Sequence, residues 1–484
     1  MGTSQSPNCV HDFLSSSPTC SETSENSTPK FEYIAFRWFS PLERLILAPE
    51  DEETLFGGSP KPDAETNEQS ESPSVAEIVD SLFSENPAIR TWALQKTKRL
   101  TIDWPYRLAG EEIGVETLPK VVDGLKSDDP SRQLAAALAS AIITFEHGTA
   151  AVESGCAPLL IALFSSPDPE IVSYASLAIS NLAYGENPQR NYLVELGIIK
   201  SLMKYLNPNT PAAIVHELAL IIVCLCDGRD RLCQESAYRE MIPALQYLIQ
   251  HTDTEVLIRA AWAVEAFAVC GWMQIGLIID AGITRHLVLL LSHSNKELKV
   301  MAMHALRKMV YGTNEQKQAV LDCGLLSHLP GLLKIRWSMG PVDALGCLFD
   351  LTVGNERVVR AVIDHGLLPL ICHHAFCEDI STSYIARSVI CNLVTYGSDK
   401  EVQYIINSDY VRSLCLIWDD NNVERNSELL RCLSGVLYRA GDQLEKVRGH
   451  LENCGLLDKL ETVCFHADDS MFCLSYHIME DYFS

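Results

Sequence analysis

A short apolar segment that begins with glycine recurs along this chain at a nearly constant spacing, and this period constrains the fold more than any other feature. Its members begin at Gly114, Gly155, Gly197, Gly282, Gly324, Gly366 and Gly455. The first three glycines are 41 and 42 residues apart, and Gly282, Gly324 and Gly366 are 42 residues apart. A fixed period of about 20–50 residues is typical of proteins built from stacked repeats.

Each period contains the same order of elements. The glycine precedes a short apolar helix, a turn such as Ser166-Pro-Asp-Pro169 follows, and a longer helix such as 171–184 ends the unit. Asp and Ser cap the first amides of a helix, and proline is tolerated in its first turn. Three helices in one period are typical of an armadillo unit, which buries its apolar faces only against its neighbours. The sequence therefore predicts an all-α, right-handed superhelical armadillo-repeat solenoid of about nine to ten repeats.

The repeats extend over residues 74–484, and residues 1–73 differ sharply from them. The first 73 residues contain 13 acidic and 4 basic side chains, many Ser, Thr and Pro, and no repeat. This composition predicts a disordered acidic region, because too little apolar surface is available for a core. An apolar island at 31–47 either docks onto the first repeats or serves as a motif for a partner or for self-association.

Charge and composition exclude several classes of function. The net charge of −25 argues against nucleic acid and anionic membranes as partners and fits a basic partner. No apolar run is long enough to span a membrane, and no secretory signal is present at the N-terminus. The 17 cysteines lack CxxC spacing, so we expect reduced core thiols and neither a metal nor a cofactor. Without a nucleophile–base pair or a phosphate-binding loop, the chain is predicted not to be an enzyme.

Three stretches of the repeat region carry a resemblance to a known family. They are 78–100, which begins Ile-Val-Asp-Ser-Leu-Phe, 310–324, which begins Val-Tyr-Gly-Thr-Asn-Glu-Gln, and 454–483, which ends Ile-Met-Glu-Asp-Tyr-Phe. These stretches are similar to the first, a central and the last repeat of importin-α (karyopherin-α). That family carries lysine-rich nuclear localisation signals to importin-β. The resemblance covers about residues 74–484, repeat by repeat.

The resemblance implies a peptide-binding groove along the third helices. In the family, most third helices present a Trp and, four residues later, an Asn on one helical face. The amides bind a peptide backbone, while the indoles form slots for lysine stems and attract the ammonium group. The corresponding pairs in this chain are Ser140/Thr144, Leu177/Asn181, Leu220/Cys224, Trp262/Ala266, His304/Lys308, Gly346/Asp350, Ser388/Asn392 and Arg431/Gly435.

Only part of the family's groove chemistry is retained. Trp262, Asn181 and Asn392 keep the family's residue type, and Glu186 and Asp343 fall at acidic family positions. Each of these residues also has a purely structural interpretation, as a core aromatic, a polar surface residue or a solvated turn. The predicted groove residues are Asn181, Glu186, Trp262, Asp343, Asp350 and Asn392.

The function implied by the resemblance is that of a nuclear import adaptor of the cytoplasm and nucleus. It binds basic cargo peptides in its groove, with altered specificity, because Lys308, Lys317 and Arg259 place positive charge along that groove. The alternative is an armadillo interaction scaffold no longer engaged in transport. Binding of importin-β stays open, because the family's dense basic N-terminal segment is not recognisable here: residues 1–73 contain only Lys30, Arg37, Arg44 and Lys61 as basic residues.

Overall fold

A computed structural model describes most of the repeat region. The described residues are 73–102, 114–185, 187–226, 232, 235–334, 339–408, 411–414, 418, 423–466 and 469–484. Apart from 99–102, they belong to one compact unit made of Glu71–Lys98 and Glu111–Ser484. The predicted disordered region and its apolar island at 31–47 lie outside the described residues, except for Pro73.

All regular structure in the described ranges is helical, and it falls into ten repeats. Repeats one and two contain α1 (Val75–Ser81), α2 (Pro87–Ile102), α3 (Leu118–Leu125) and α4 (Pro130–Glu146). Repeats three to five contain α5 (Gly148–Glu153), α6 (Cys156–Ala162), α7 (Pro169–Tyr184), α8 (Asn187–Glu195), α9 (Ile198–Tyr205), α10 (Ala212–Leu225), α11 (Glu235–Leu248) and α12 (Thr254–Val269).

The remaining repeats follow the same order. Repeats six to eight contain α13 (Trp272–Asp280), α14 (Ile283–Leu290), α15 (Lys296–Met309), α16 (Asn314–Asp322), α17 (Leu325–Leu333), α18 (Met339–Thr352), α19 (Glu356–Asp364), α20 (Leu368–Ala375) and α21 (Ile380–Tyr396). Repeats nine and ten contain α22 (Asp399–Asn407), α23 (Val411–Leu414), α24 (Val423–Arg439), α25 (Leu444–Asn453), α26 (Leu456–His466) and α27 (Asp469–Tyr482). Short 3₁₀ helices occur at Val115–Thr117, Leu163–Ser165 and Gly441–Gln443. The last and longest helix of each repeat is called its third helix.

The turns before several third helices have the predicted capping chemistry, whereas α10 begins after Pro211 without a side-chain cap. The Asp168 carboxylate accepts a hydrogen bond of 2.9 Å from the Glu170 amide, and Pro169 opens α7. Asp253 caps α12 in the same way, at 2.9 Å from the Glu255 amide. The cap satisfies an amide that has no partner inside the helix.

The recurring glycines turn the chain into the second helix of a repeat. Most of them have a φ in the left-handed region, which costs little for glycine because it has no Cβ. These are Gly155 (82°), Gly197 (78°), Gly282 (73°), Gly324 (86°), Gly366 (66°) and Gly455 (71°). Gly114, with a φ of −68°, is the exception in the series.

The core is continuous from one repeat to the next. Consecutive third helices from α4 to α27 pack side by side in chain order. Leu138, Leu182 and Ile222, on three successive third helices, are fully buried. Each repeat therefore completes its core only with its neighbours, as expected of an armadillo-repeat solenoid. Buried cysteines contribute to this core, among them Cys224, Cys226, Cys270 and Cys432.

No single described helix is long and apolar enough to cross a membrane. One pair, α13 and α14, has sufficient combined length and composition but is bent by 85° between the two helices.

Candidate functional site

The third helices present one row of side chains at the positions that the family resemblance singles out. All eight predicted pairs lie on third helices, from Ser140/Thr144 on α4 to Arg431/Gly435 on α24. Because these helices pack side by side, the pairs succeed one another across neighbouring repeats. This row is called the third-helix face.

Asn181 bridges two neighbouring third helices. Its Nδ2 donates hydrogen bonds to the Ala141 carbonyl oxygen at 2.8 Å and to Thr144 Oγ1 at 3.3 Å, both on α4. Thr144 itself donates to the Ser140 carbonyl oxygen at 2.7 Å. The half-buried amide on α7 is therefore held in one orientation by the preceding repeat.

Asn392 repeats this arrangement five repeats later. Its Nδ2 donates to the Phe349 carbonyl oxygen and to Thr352 Oγ1, each at 3.2 Å. Thr352 in turn donates to the Leu348 carbonyl oxygen at 2.7 Å. Within the described residues, the Oδ1 atoms of Asn181 and Asn392 receive no hydrogen bond. Both amides can therefore accept a hydrogen bond from a ligand without giving up their internal contacts.

Trp262 lies largely within the core, with 7% of its surface exposed. The Arg259 guanidinium carbon lies 5.9 Å from the centre of the indole ring. Arg259 is itself buried, and its Nε donates to His216 Nε2 at 2.8 Å. The predicted lysine slot at Trp262 is thus faced by an arginine of the same helix, and little of the tryptophan is accessible.

Asp343 and Asp350 are paired with side chains of the preceding repeat. Asp343 is 5% exposed, and its carboxylate lies 2.6 Å from His304 Nε2 and 3.3 Å from Arg307 Nη1. The Asp350 carboxylate lies 3.6 Å from Arg307 Nε. Burial raises the pKa of Asp350, and the charge of Arg307 offsets part of this effect. Both predicted acidic residues therefore already have a cation beside them.

Glu186, the remaining predicted site residue, lies outside the described residues. It follows Gly185, which ends α7, and precedes α8. Its position in the chain is thus close to Asn181, near the end of the same third helix.

The structure shows a pocket beside this face that the sequence did not predict. A pocket of about 490 Å³ is lined by the exposed rings of Trp272 and Tyr311, by Lys308 and by the apolar side chain of Val269. Trp272 follows Gly271 just as Glu186 follows Gly185, so the repeat register could have identified it as a position beside the groove. The register alone does not reveal that the neighbouring turn brings Tyr311 to the same pocket.

Among the described residues, no group of three or more His, Cys, Asp or Glu side chains is placed to hold a metal ion. On the third-helix face, the Oδ1 atoms of Asn181 and Asn392 are suited to accept hydrogen bonds from a ligand.

Residues 149–184 match the model of the armadillo/beta-catenin-like repeat family. The crystal structure of an engineered protein has the same fold, with a TM-score of 0.70 at 23% identity over 85% of this chain and 100% of that one. Together with the ten helical repeats, this likeness confirms the predicted all-α armadillo solenoid.

Curated relatives identify the family more closely. Importin subunit alpha-2 of Arabidopsis thaliana is 27% identical over 49% of this chain and 44% of that protein. Importin subunit alpha-3 of Caenorhabditis elegans is 39% identical over 404 residues, which are 83% of this chain and 79% of the relative. A match of this identity and extent confirms the resemblance, and the chain belongs to the importin-α family.

Proposed function

We propose that the chain is a nuclear import adaptor without catalytic activity that binds a basic cargo peptide along its third-helix face. The observation that carries the proposal is the pair of asparagines with identical anchoring, Asn181 and Asn392. Family membership supports the class of function, and the adaptor would act in both cytoplasm and nucleus.

The asparagine geometry suits an extended peptide. Each Nδ2 is fixed by a carbonyl oxygen and a threonine hydroxyl, which leaves Oδ1 to accept a backbone N–H of the ligand. A side chain that is already oriented loses little conformational entropy on binding. A contact with the peptide backbone is also independent of the cargo's side chains, as an adaptor for several cargoes requires.

The negative net charge of the chain favours binding of a cationic ligand. The chain carries a net charge of −25, which attracts basic peptides over long range and speeds their association. Glu186 is the acidic residue that we assign to the peptide's principal lysine, since Asp343 and Asp350 are already paired with Arg307. We therefore expect lysine recognition to centre on the third repeat.

The test is fluorescence anisotropy of a labelled peptide with one run of lysines, titrated with the full chain at physiological salt. We expect saturable binding with a Kd of about 1–10 μM, equivalent to about −7 to −8 kcal/mol. Glu186→Lys should weaken this binding at least about tenfold, because it places like charges together.

The matched control is Glu195→Lys, which makes the same charge change at the other end of α8. It should lower the affinity much less than Glu186→Lys. No saturable binding by the wild-type chain, or equal losses in the two variants, would contradict the proposed lysine site.

The second candidate is a scaffold that no longer takes part in transport. The observation that favours it is the pairing of Asp343 and Asp350 within the chain, which removes two acidic residues from the groove. An import assay distinguishes the two candidate functions. It uses permeabilised cells supplied with the full chain and a fluorescent lysine-tagged cargo. Nuclear accumulation that depends on the chain and on added importin-β supports the adaptor, and its absence supports the scaffold.

A further inference from the structure

The third-helix face of the sixth and seventh repeats is occupied by an arginine of the chain itself. Arg307, on α15, extends to α18, where it lies 3.3 Å from the Asp343 carboxylate and 3.6 Å from that of Asp350. In the family register Asp343 falls at an acidic position that would face a cationic cargo side chain, and Asp350 stands in place of the asparagine. The internal guanidinium takes the place of that cation.

A missing side chain makes room for this arginine. Gly346 stands at the family's tryptophan position, between the two acidic residues on α18. A Cβ added at Gly346 would lie only 2.6 Å from Arg307 Cζ and 2.8 Å from its Nε and Nη2. Such distances are shorter than any normal contact, so the guanidinium fills the space that a tryptophan would need. A side chain at position 346 would therefore displace the Arg307 guanidinium from this place.

The charges around this cluster leave little attraction for a further cation. Lys317 Nζ donates to the Asp350 carbonyl oxygen at 2.9 Å, and His304 holds the second Asp343 oxygen. Lys308 also lies on this face; burial raises the pKa of Glu265 on α12, and the charges of His304 and Lys308 offset part of this effect. The side chains of Asp343 and Asp350 are only 7% and 15% exposed. Cations thus cover the acids on this part of the face.

We infer that Arg307 is a specificity-determining residue that closes the sixth and seventh repeats to lysine and arginine side chains of a cargo. This inference rests on the proposed function and narrows it. The chain reads a single basic cluster near Asn181 and Glu186, and a second basic cluster in the cargo adds no affinity. Removal of Arg307 creates a vacant site for a guanidinium group.

The direct test uses methylguanidinium, the terminal fragment of an arginine side chain, as the probe. It should raise the thermal unfolding temperature of Arg307→Ala, because it refills the site between the two carboxylates. It should not raise that of the wild-type chain. The double variant Arg307→Ala/Asp343→Asn should lose the response. A response of the wild type, or none in Arg307→Ala, would overturn the inference.

Peptide binding supplies the second test, with Lys317→Ala as the matched control. Both single variants remove one positive charge from the same cluster, but only Arg307→Ala vacates the site. For Arg307→Ala, a peptide with two basic clusters should bind about tenfold more tightly than a peptide with one, whereas Lys317→Ala and the wild type should show no such gain. Equal gains in both variants would mean that net charge alone is responsible.

The two tests separate this inference from the proposed function. If the wild-type chain binds no lysine-rich peptide, the proposed function fails. The methylguanidinium result still decides whether Arg307 occupies a cation site.

Discussion

At the scale of single residues, the same hydrogen-bond pattern occurs in two parts of the molecule. Asn181 and Asn392 are anchored alike, each to a carbonyl oxygen and a threonine of the preceding third helix. Their surroundings differ. Asn392 follows the repeat in which Arg307 covers the acids, whereas Asn181 shares its repeat with Glu186.

Substitution of the two asparagines should separate stability from binding. Asn181→Ala and Asn392→Ala should each lower the free energy of unfolding by about 1–2 kcal/mol, because each removes the hydrogen bonds between neighbouring third helices. Only Asn181→Ala should also weaken binding of a one-cluster lysine peptide, by about fivefold or more. Urea unfolding and anisotropy measure the two effects. Equal losses of peptide affinity would contradict the assigned location of the peptide.

The pair His304 and Asp343 should make stability depend on pH. Burial alone lowers the pKa of His304, but the hydrogen bond and charge of Asp343, with the charge of Glu265, raise it above the ordinary value of 6.5. A raised pKa means that the folded state holds the proton more tightly than the unfolded state. The stabilisation is therefore complete below pH 6.5 and is lost as the pH rises through the folded-state pKa.

This dependence is measured by thermal unfolding of the wild type and His304→Gln. The unfolding temperature of the wild type should exceed that of the variant most at about pH 5.5. This difference in unfolding temperature should be smaller at about pH 9. A difference that grows with pH would show that His304 is neutral when paired.

The repeat register predicts correctly that the eight pairs lie on the third helices, but it does not predict the partners of their side chains. The positions of the pairs follow from the period, because equivalent residues recur at the same spacing in each repeat. The contact between Arg307 and Gly346 instead joins two repeats and depends on which side chain is absent, so no pattern within one repeat reports it. For the same reason, the sequence could not show that Asp343 and Asp350 are already paired.

At the scale of the helices, two glycines of the seventh repeat have opposite roles. Gly324 precedes α17 with a φ of 86°, in the left-handed region. Gly331 lies within α17, among residues of right-handed helix. A Cβ added to either glycine would meet no atom within 4 Å, so only the backbone conformation distinguishes them.

We expect opposite effects of alanine at these two positions. Gly324→Ala should destabilise the chain by about 1–2 kcal/mol, because the left-handed conformation is strained for an L-residue with a side chain. Gly331→Ala should stabilise it by about 0.5–1 kcal/mol, because alanine loses less entropy in a helix. Differential scanning calorimetry of the two variants shows whether each substitution lowers or raises the stability of the chain. Stabilisation by Gly324→Ala would show that the glycine is not needed to begin α17.

At the scale of the whole molecule, the solenoid follows from the period, since each repeat buries its apolar surface only against its neighbours. The armadillo fold was predictable because the glycine-led period and the Asp and Pro caps recur from repeat to repeat. The function is less uniform along the chain. Neighbouring repeats share a backbone but differ in the side chains of the third-helix face, and we propose that these side chains decide which stretch of the face binds a peptide.

Amide hydrogen exchange of the full chain, with and without the one-cluster lysine peptide, tests this account most directly. Opening of single helices sets the local exchange rate, so a bound peptide slows exchange where it lies. We predict protection in α4, α7 and the start of α8, with no change in α15 and α18. Protection of α15 and α18, or no protection at all, would contradict the claim that the groove reads one basic cluster at the third repeat.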